Sequence, residues 1–341
     1  MRKILYFLIC SFLLTSCLVQ HAKRSKKQHL TIFSDCLNEK DVRIFKQFEK
    51  KEEIDLHIQY FETDSLLAKI EKEGYNCKAD LIIVNSSFSI HKLKEKKLLQ
   101  AWQSEIIDKR VPKHFKVKNN QWIGVGVNPY ALACNDTIYI HDNLKKLIRS
   151  KKTRLHSDLF LSKDFIPLYT QFLYSKKKKE IDSSLISKIK FTTDRNLPKD
   201  SVLKNIFIST YSSIIHDSIL TNKSLMNINK GSYYNLYCAG IIKQSPNFYN
   251  AKVFLEYITE NRQNEKINNI WKTLPITLSD IKHKYAYQNI PIFINTEKYY
   301  YYFSRFNQLE RYFEKHTKDR LIKVNNPSDI ADQTIAKKQK N

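Results

Sequence analysis

Ala79-Asp80-Leu81-Ile82-Ile83-Val84 is a short run, apolar but for one aspartate, that reads as a strand buried on both faces, as in a parallel sheet. Before it, Ser65 to Glu73 has the spacing of a helix, and Gly74 stands where a left-handed cap would close it. Earlier still, Leu56 to Gln59 reads as a strand. Asp41 to Lys50 reads as a helix with Val42, Ile44, Phe45 and Phe48 inward, and Leu30 to Phe33 as the opening strand. On the other side a helix is expected from Ile90 to Lys97, followed by Leu98-Leu99-Gln100-Ala101-Trp102. Strands alternating with amphipathic helices call for an α/β domain built from right-handed crossover units.

Further along, Trp122 to Val127 and Ala131 to Cys134 read as two strands leaving this first sheet, a natural crossing into a second lobe. Residues 137–204 carry basic helical segments with few turn signals, and no site is drawn from them. Tyr234 to Lys243 reads as a strand and Asn250 to Asn261 as an amphipathic helix. The aromatic cluster Tyr299 to Tyr302 is read as packing, and residues 327–341 as a loose polar tail.

The N-terminus decides export. Met1-Arg2-Lys3 precedes the apolar run Ile4 to Leu14, too short to span a bilayer and laid out as a secretory signal peptide. Leu14-Thr15-Ser16-Cys17 matches a lipobox, so residues 1–16 are expected to be cleaved and Cys17 to carry lipid on its sulfur. Residues 17–28, with Lys23, Arg24, Lys26 and Lys27, then form a hydrated tether to the membrane.

The formal net charge of +24 would in another setting suggest nucleic acid. Here the lysines are scattered apart from runs such as Lys176 to Lys179, and Asn, Ile and Tyr, which also have A/T-rich codons, are abundant beside them. Base composition accounts for the charge; a basic face towards anionic lipid or an acidic partner is the alternative. With Cys10 and Cys17 assigned to the export segment, Cys36, Cys77, Cys134 and Cys238 remain, at spacings that match no zinc or redox motif.

Four stretches together resemble the ferric-iron substrate-binding proteins of ABC transporters. They are Leu30 to Ser34 with its following helix; Ile70 to Leu81, with its helix, glycine, short loop and Ala-Asp strand; Gly124 to Asn135 behind the aromatic Trp122; and Ala239 to Asn247 leading into the helix through Ile258. Order and spacing agree from about Leu30 to Ile276, apart from the middle. The resemblance implies an α/β, two-lobed periplasmic-binding-protein-like fold of type II with a crossing-strand hinge. It places lobe 1 at 29–127 and 235–290 and lobe 2 at 128–234 and 291–326. It implies a metal ion or small solute captured in an interlobe cleft by hinge closure and handed to a membrane permease.

Receptors of that family hold Fe³⁺, a hard ion, with several tyrosinate oxygens. Where the resemblance places a histidine or tyrosine pair after the first strand, this chain has Leu37 and Asn38; where it places a tyrosine before asparagine, it has Cys134-Asn135. The tandem tyrosine after Asn-Thr corresponds to Ser209-Thr210-Tyr211-Ser212-Ser213, in which one phenol survives. One phenolate cannot neutralise three positive charges, so the inherited ferric site is expected to be weakened. Tyr130 shares a strand face with Cys134 and offers a second phenol, and Cys36 sits in the first loop. Cys36, Cys134 and Tyr211 could favour a softer metal; the alternative is that the cysteines are small buried residues or a cross-lobe disulfide. His216 is read as structural.

The candidate ligands are thus Tyr211, Cys134, Tyr130, Asn38, Ser212 and Cys36, with Cys17 as lipidation site and a metal ion, Fe³⁺ among them, as cargo rather than resident cofactor. No Gly-rich phosphate loop, nucleophile elbow or His-Glu-x-x-His pair argues for an enzyme. The expected partners are an ABC permease, the solute and the bilayer; a monomer is expected, and nucleic acid is not. A drifted, solute-free relative acting as a surface lipoprotein is the other reading.

Overall fold

The computed structural model describes residues 28–37, 39–134, 153–157, 168, 189–191, 204–216, 224–226 and 234–276. In chain order the strands are β1 Gln28–Ser34, β2 Ile54–Tyr60, β3 Leu81–Val84, β4 Ile123–Cys134, β5 Thr153–Ser157, β6 Ile189–Phe191, β7 Lys204–Thr210, β8 Ser224–Met226 and β9 Tyr234–Ile241. The α-helices are α1 Lys46–Glu52, α2 Thr63–Glu73, α3 Ser87–Glu95, α4 Glu105–Arg110, α5 Tyr211–His216, α6 Phe248–Ile258 and α7 Asn261–Trp271. The chain divides into two compact units, Met1–Gly126 with Leu236–Asp280 and Val127–Asn235 with Ile281–Asn341. β4 and β9 are the described strands along which the chain passes from one unit to the other. Residues 1–27, 277–341 and most of 135–203 lie outside the described residues, and with them the expected signal peptide, nearly all of the tether, the tyrosine cluster and the tail.

In the first unit the strands lie in the order β2-β1-β3-β9-β4. β1 pairs parallel with β2, Leu30 against Leu56, and parallel with β3, Ile32 against Leu81. β9 then enters antiparallel, Ile83 against Ala239. The apolar run read as a buried strand is one: all of Leu81, Ile82, Ile83 and Val84 are fully enclosed. Helix α6 packs on α1 and the 3-10 segment before it through aromatic rings. Phe254 of α6 meets the ring of Phe48 at 5.2 Å and of Phe45 at 5.1 Å, both edge-on, the arrangement favoured by ring quadrupoles.

Local differences from the sequence reading have local causes. The helix expected over Asp41 to Lys50 begins as a 3-10 segment, Glu39–Phe45, and becomes α only at Lys46. Gly74 does end α2, but at φ 56°, ψ −127° it is not in the left-handed helical region; the chain turns straight into a 3-10 segment, Gly74–Asn76, through a conformation open to glycine. The two strands expected around residues 122–134 are one continuous β4, which Asn128 and Pro129 do not interrupt. Ser86 and Ser104 cap α3 and α4 by accepting from the N–H of Phe88 and of Ile107, and Ser104 also donates to Glu256 of α6 at 2.6 Å.

At the end of the first unit's share of β4, Gly126 has no space for a side chain: a Cβ there would overlap the Oδ1 of Asn268 and lie 3.1 Å from Thr273 Oγ1. Gly126→Ala is expected to lower stability by about 1–3 kcal/mol, read as a lower urea midpoint at unchanged slope, because a packed core resists even one added methyl.

In the second unit β7 lies between β4 and β5, antiparallel to the first and parallel to the second, with β6 beyond β5 and β8 also beside β4. Ile206, Phe207 and Ile208 of β7 are buried.

Candidate functional site

The candidate residues fall into two groups, one in each unit. The first is the loop leaving β1. Ser34 shapes it: its hydroxyl donates to the carbonyl of Ile83 at 2.8 Å and accepts from the N–H groups of Cys36 at 3.1 Å and Leu37 at 2.9 Å. Asp35 is buried and bridges two neighbouring segments, accepting from Thr63 Oγ1 at 2.8 Å and from the N–H of Asn85 at 2.8 Å. Burial raises its pKa to about 6, against the pull of those hydrogen bonds.

Cys36 is partly exposed and carries a free thiol, as do Cys77 and Cys238. Its Sγ lies 3.5 Å from Ser34 Oγ, and its carbonyl accepts from Trp271 Nε1 at 2.9 Å. Desolvation, with the Asp35 carboxylate next in weight, holds the thiol pKa well above the ordinary range. A thiolate is the form that binds metal, so a metal ion at Cys36 would have to displace the proton of this thiol. Leu37 is fully buried, so the position the resemblance assigns to a donor belongs here to the core. Asn38 lies outside the described residues.

The second group lies along the β4–β7 ladder: Tyr130 and Tyr211 stand at the end of β7, while Cys134 pairs with Ile206, four residues away towards its start. Tyr130 of β4 is buried and pairs in register with Thr210; Cys134, four residues on, lies on the same strand face. Tyr211 follows as the first residue of α5. The strand pairing thus brings the backbones of Tyr130 and Tyr211 to the same end of the β4–β7 ladder, while the side chains of Cys134, Tyr211 and His216 lie outside the described set. Ser212 is buried and engaged: its N–H donates to Asn128 Oδ1 at 3.1 Å, and its hydroxyl accepts from Asn128 Nδ2 at 2.7 Å. Thr210 Oγ1 donates to Ser213 Oγ at 2.9 Å.

Asn128 was missed in the sequence, although a buried amide in an otherwise apolar strand was a signal that something polar had to meet it. Among the described residues no three His, Cys, Asp or Glu side chains gather as a metal would require, and no helix is long and apolar enough to cross a membrane.

No family model matches the chain. Among curated proteins it is similar to iron uptake protein A1 of Synechocystis sp., 24% identical over 99 residues; that match spans 29% of this chain and 28% of the relative. Among solved structures it is similar to iron-bound HitA from Pseudomonas aeruginosa (17% identity, 82% of this chain and 99% of that one, TM-score 0.64). It is similar also to apo FutA2 from Synechocystis (14% identity, 83% and 99%, TM-score 0.66) and to the ferric binding protein of Campylobacter jejuni (18% identity, 81% and 99%, TM-score 0.63). The chain therefore has the α/β fold of the periplasmic ferric-binding proteins, along nearly the whole of each of them. Of these, one is named an iron uptake protein and one a ferric binding protein, and HitA is iron-bound.

Proposed function

We propose that this protein is an exported, lipid-anchored solute receptor of an ABC importer, whose two units close on a metal ion or another small solute. The observation that carries the reading is the structural likeness to ferric-binding proteins, which takes in 82% of this chain and 99% of iron-bound HitA. Tyr211, Tyr130 and Cys134 are the leading donors, with Ser212, Asn38 and Cys36 beside them. A solute that contacts both units binds the closed state better and shifts the population towards it. Cys17 is the anchor. Cys17→Ser is expected to move the protein from the detergent phase to the aqueous phase in a Triton X-114 partition, and to abolish lipid labelling.

The solute is tested by elemental analysis of the mature chain and thermal shift with Fe³⁺, Zn²⁺, Cu⁺ and Mn²⁺. One of these at about a hundred times its Kd is expected to raise the midpoint by roughly 3–5 °C, since a ligand that binds only the folded state stabilises it by about 2.7 kcal/mol. Tyr211→Phe is expected to abolish that shift; a shift that survives the change removes Tyr211 from the site.

A second reading, a solute-free relative acting as a surface lipoprotein, is favoured by two observations. Leu37 fills the core where a donor would stand, and Ser212 is held by Asn128. The absence of any shift across metals and small solutes would support it.

A further inference from the structure

α7 touches three parts of the first unit that matter for a receptor. Near its middle, Asn264 and Asn268 are buried, one helical turn apart, and both donate Nδ2–H to the carbonyl of Val125, each at 2.9 Å. Their remaining amide atoms are also engaged. Asn264 Nδ2 donates to the carbonyl of Ile258 at 3.1 Å and its Oδ1 accepts from the N–H of Ile276 at 2.9 Å. Asn268 Nδ2 donates to the carbonyl of Asn264 at 2.8 Å and its Oδ1 accepts from Thr273 Oγ1 at 2.6 Å. Val125 is the penultimate residue of β4 inside this unit, and the missing side chain of Gly126 is what lets Asn268 lie against the strand.

At its C-terminal end, Trp271 donates Nε1–H to the carbonyl of Cys36 in the loop after β1, and its ring lies 5.1 Å from that of Tyr237 in β9. One eleven-residue helix thus holds the candidate loop and both strands that run on into the other unit.

A helix interior does not need asparagine, a mediocre helix former. Leucines would bury the same face at lower cost, but they could not grip a strand carbonyl. A fully satisfied buried amide network has one geometry, so a displacement at one end is passed along the helix and not absorbed.

We infer that α7 is a coupling element, with Asn264, Asn268 and Trp271 as positioning residues that tie the conformation of the Cys36 loop to that of β4 and β9 where they leave the first unit. This rests on the receptor reading for its purpose, while the coupling stands on contacts within one unit. A solute that moves the Cys36 loop thereby acts on the strands through a rigid helix and a contiguous hydrogen-bonded chain.

The test is amide hydrogen exchange on the mature, solute-free chain, which separates the coupling from the receptor reading tested by metal shift. Trp271→Phe, which keeps the ring against Tyr237 but deletes the bond to Cys36, is expected to raise exchange at Cys36 and Leu37 at least tenfold. It is also expected to raise exchange at Val125 to Val127 several-fold, although the bond it deletes is to Cys36. Asn268→Ser is expected to do the reverse, loosening Val125 to Val127 directly and Cys36 and Leu37 through the helix. Ile270→Ser, on the exposed side of the same helix, controls for general loosening and is expected to change neither. If each substitution raises exchange only at its own contact, α7 is two separate supports and the inference is overturned. Should Asn268→Ser not fold, Trp271→Phe alone decides by its effect at Val125 to Val127.

Discussion

Asp80→Ala is expected to lower the stability of the first unit by about 3–5 kcal/mol, seen as a large fall in urea midpoint, because one carboxylate serves three donors from two distant parts of the chain. Asp80 is 2% exposed, and its Oδ2 accepts from the N–H of Thr31 in β1 at 2.8 Å. Its Oδ1 accepts from Ser245 Oγ at 2.7 Å, and Asn247 Nδ2 lies 3.2 Å from both oxygens. Truncation strands the N–H of Thr31 and the hydroxyl of Ser245 and leaves Asn247 Nδ2 with His29 Nε2 at 3.3 Å, which loosens the turn between β9 and α6. Asp80→Asn keeps the shape and one good acceptor but points an amide donor at other donors, so it is expected to cost about 1–3 kcal/mol. If the alanine variant loses less than about 1 kcal/mol, water serves these donors as well as the carboxylate does, and Asp80 is not the tie between the segments.

That hub also explains why three distant phrases of the sequence could be read together. Thr31, Ala79-Asp80 and Ser245-Pro246-Asn247 belong to three of the four stretches that carry the resemblance, and in the fold they meet at one carboxylate. The strands β1, β3 and β9 were legible because each is a compact apolar run with polar boundaries. β5 and β6 were not: Thr-Arg-Leu-His-Ser and Ile-Lys-Phe are three to five residues long and carry almost no periodic signal. α7 was hidden for another reason. Asn261-Arg262-Gln263-Asn264-Glu265-Lys266 looks wholly solvated, and nothing in residue type shows that Asn264 and Asn268 face inward to a strand carbonyl.

Position in the resemblance picked out the loop after β1 and the β7–α5 junction as candidates, but only the coordinates show that Leu37 is core, that burial pushes the Cys36 thiol pKa up and that Ser212 is paired with Asn128.

Between about pH 4 and pH 6 the first unit is expected to show a nearly flat stability, because two buried groups titrate in opposite senses there. Asp35, displaced upward by burial from 3.8 to about 6, binds its proton more tightly in the native state than in the unfolded chain. Its contribution is therefore present at low pH and is lost as pH rises through about 6, at most roughly 3 kcal/mol. His91, 5% exposed on α3, is displaced downward from 6.5 to about 4, chiefly by desolvation and then by Lys94; the exposed Glu95 carboxylate, 3.4 Å from its Nε2, pulls weakly the other way. A depressed histidine contributes stability that is present above pH 6.5 and lost as pH falls towards 4, again roughly 3 kcal/mol at most. The two windows overlap, so the slopes cancel.

Asp35→Asn removes one side of the balance: its oxygen still accepts from Asn85 and its amide donates to the hydroxyl of Thr63. Stability is then expected to climb with pH by about 1 kcal/mol per pH unit across this range, and to exceed the wild type by about 1–2 kcal/mol at pH 7. His91→Gln removes the other side, and stability is expected to fall with pH at a similar rate. Urea midpoints at half-unit steps from pH 4.5 to pH 7.5 read both slopes. Parallel curves for all three proteins would mean that neither group carries its charge penalty in the folded state, and that the burial seen around Asp35 and His91 is relieved by water in solution.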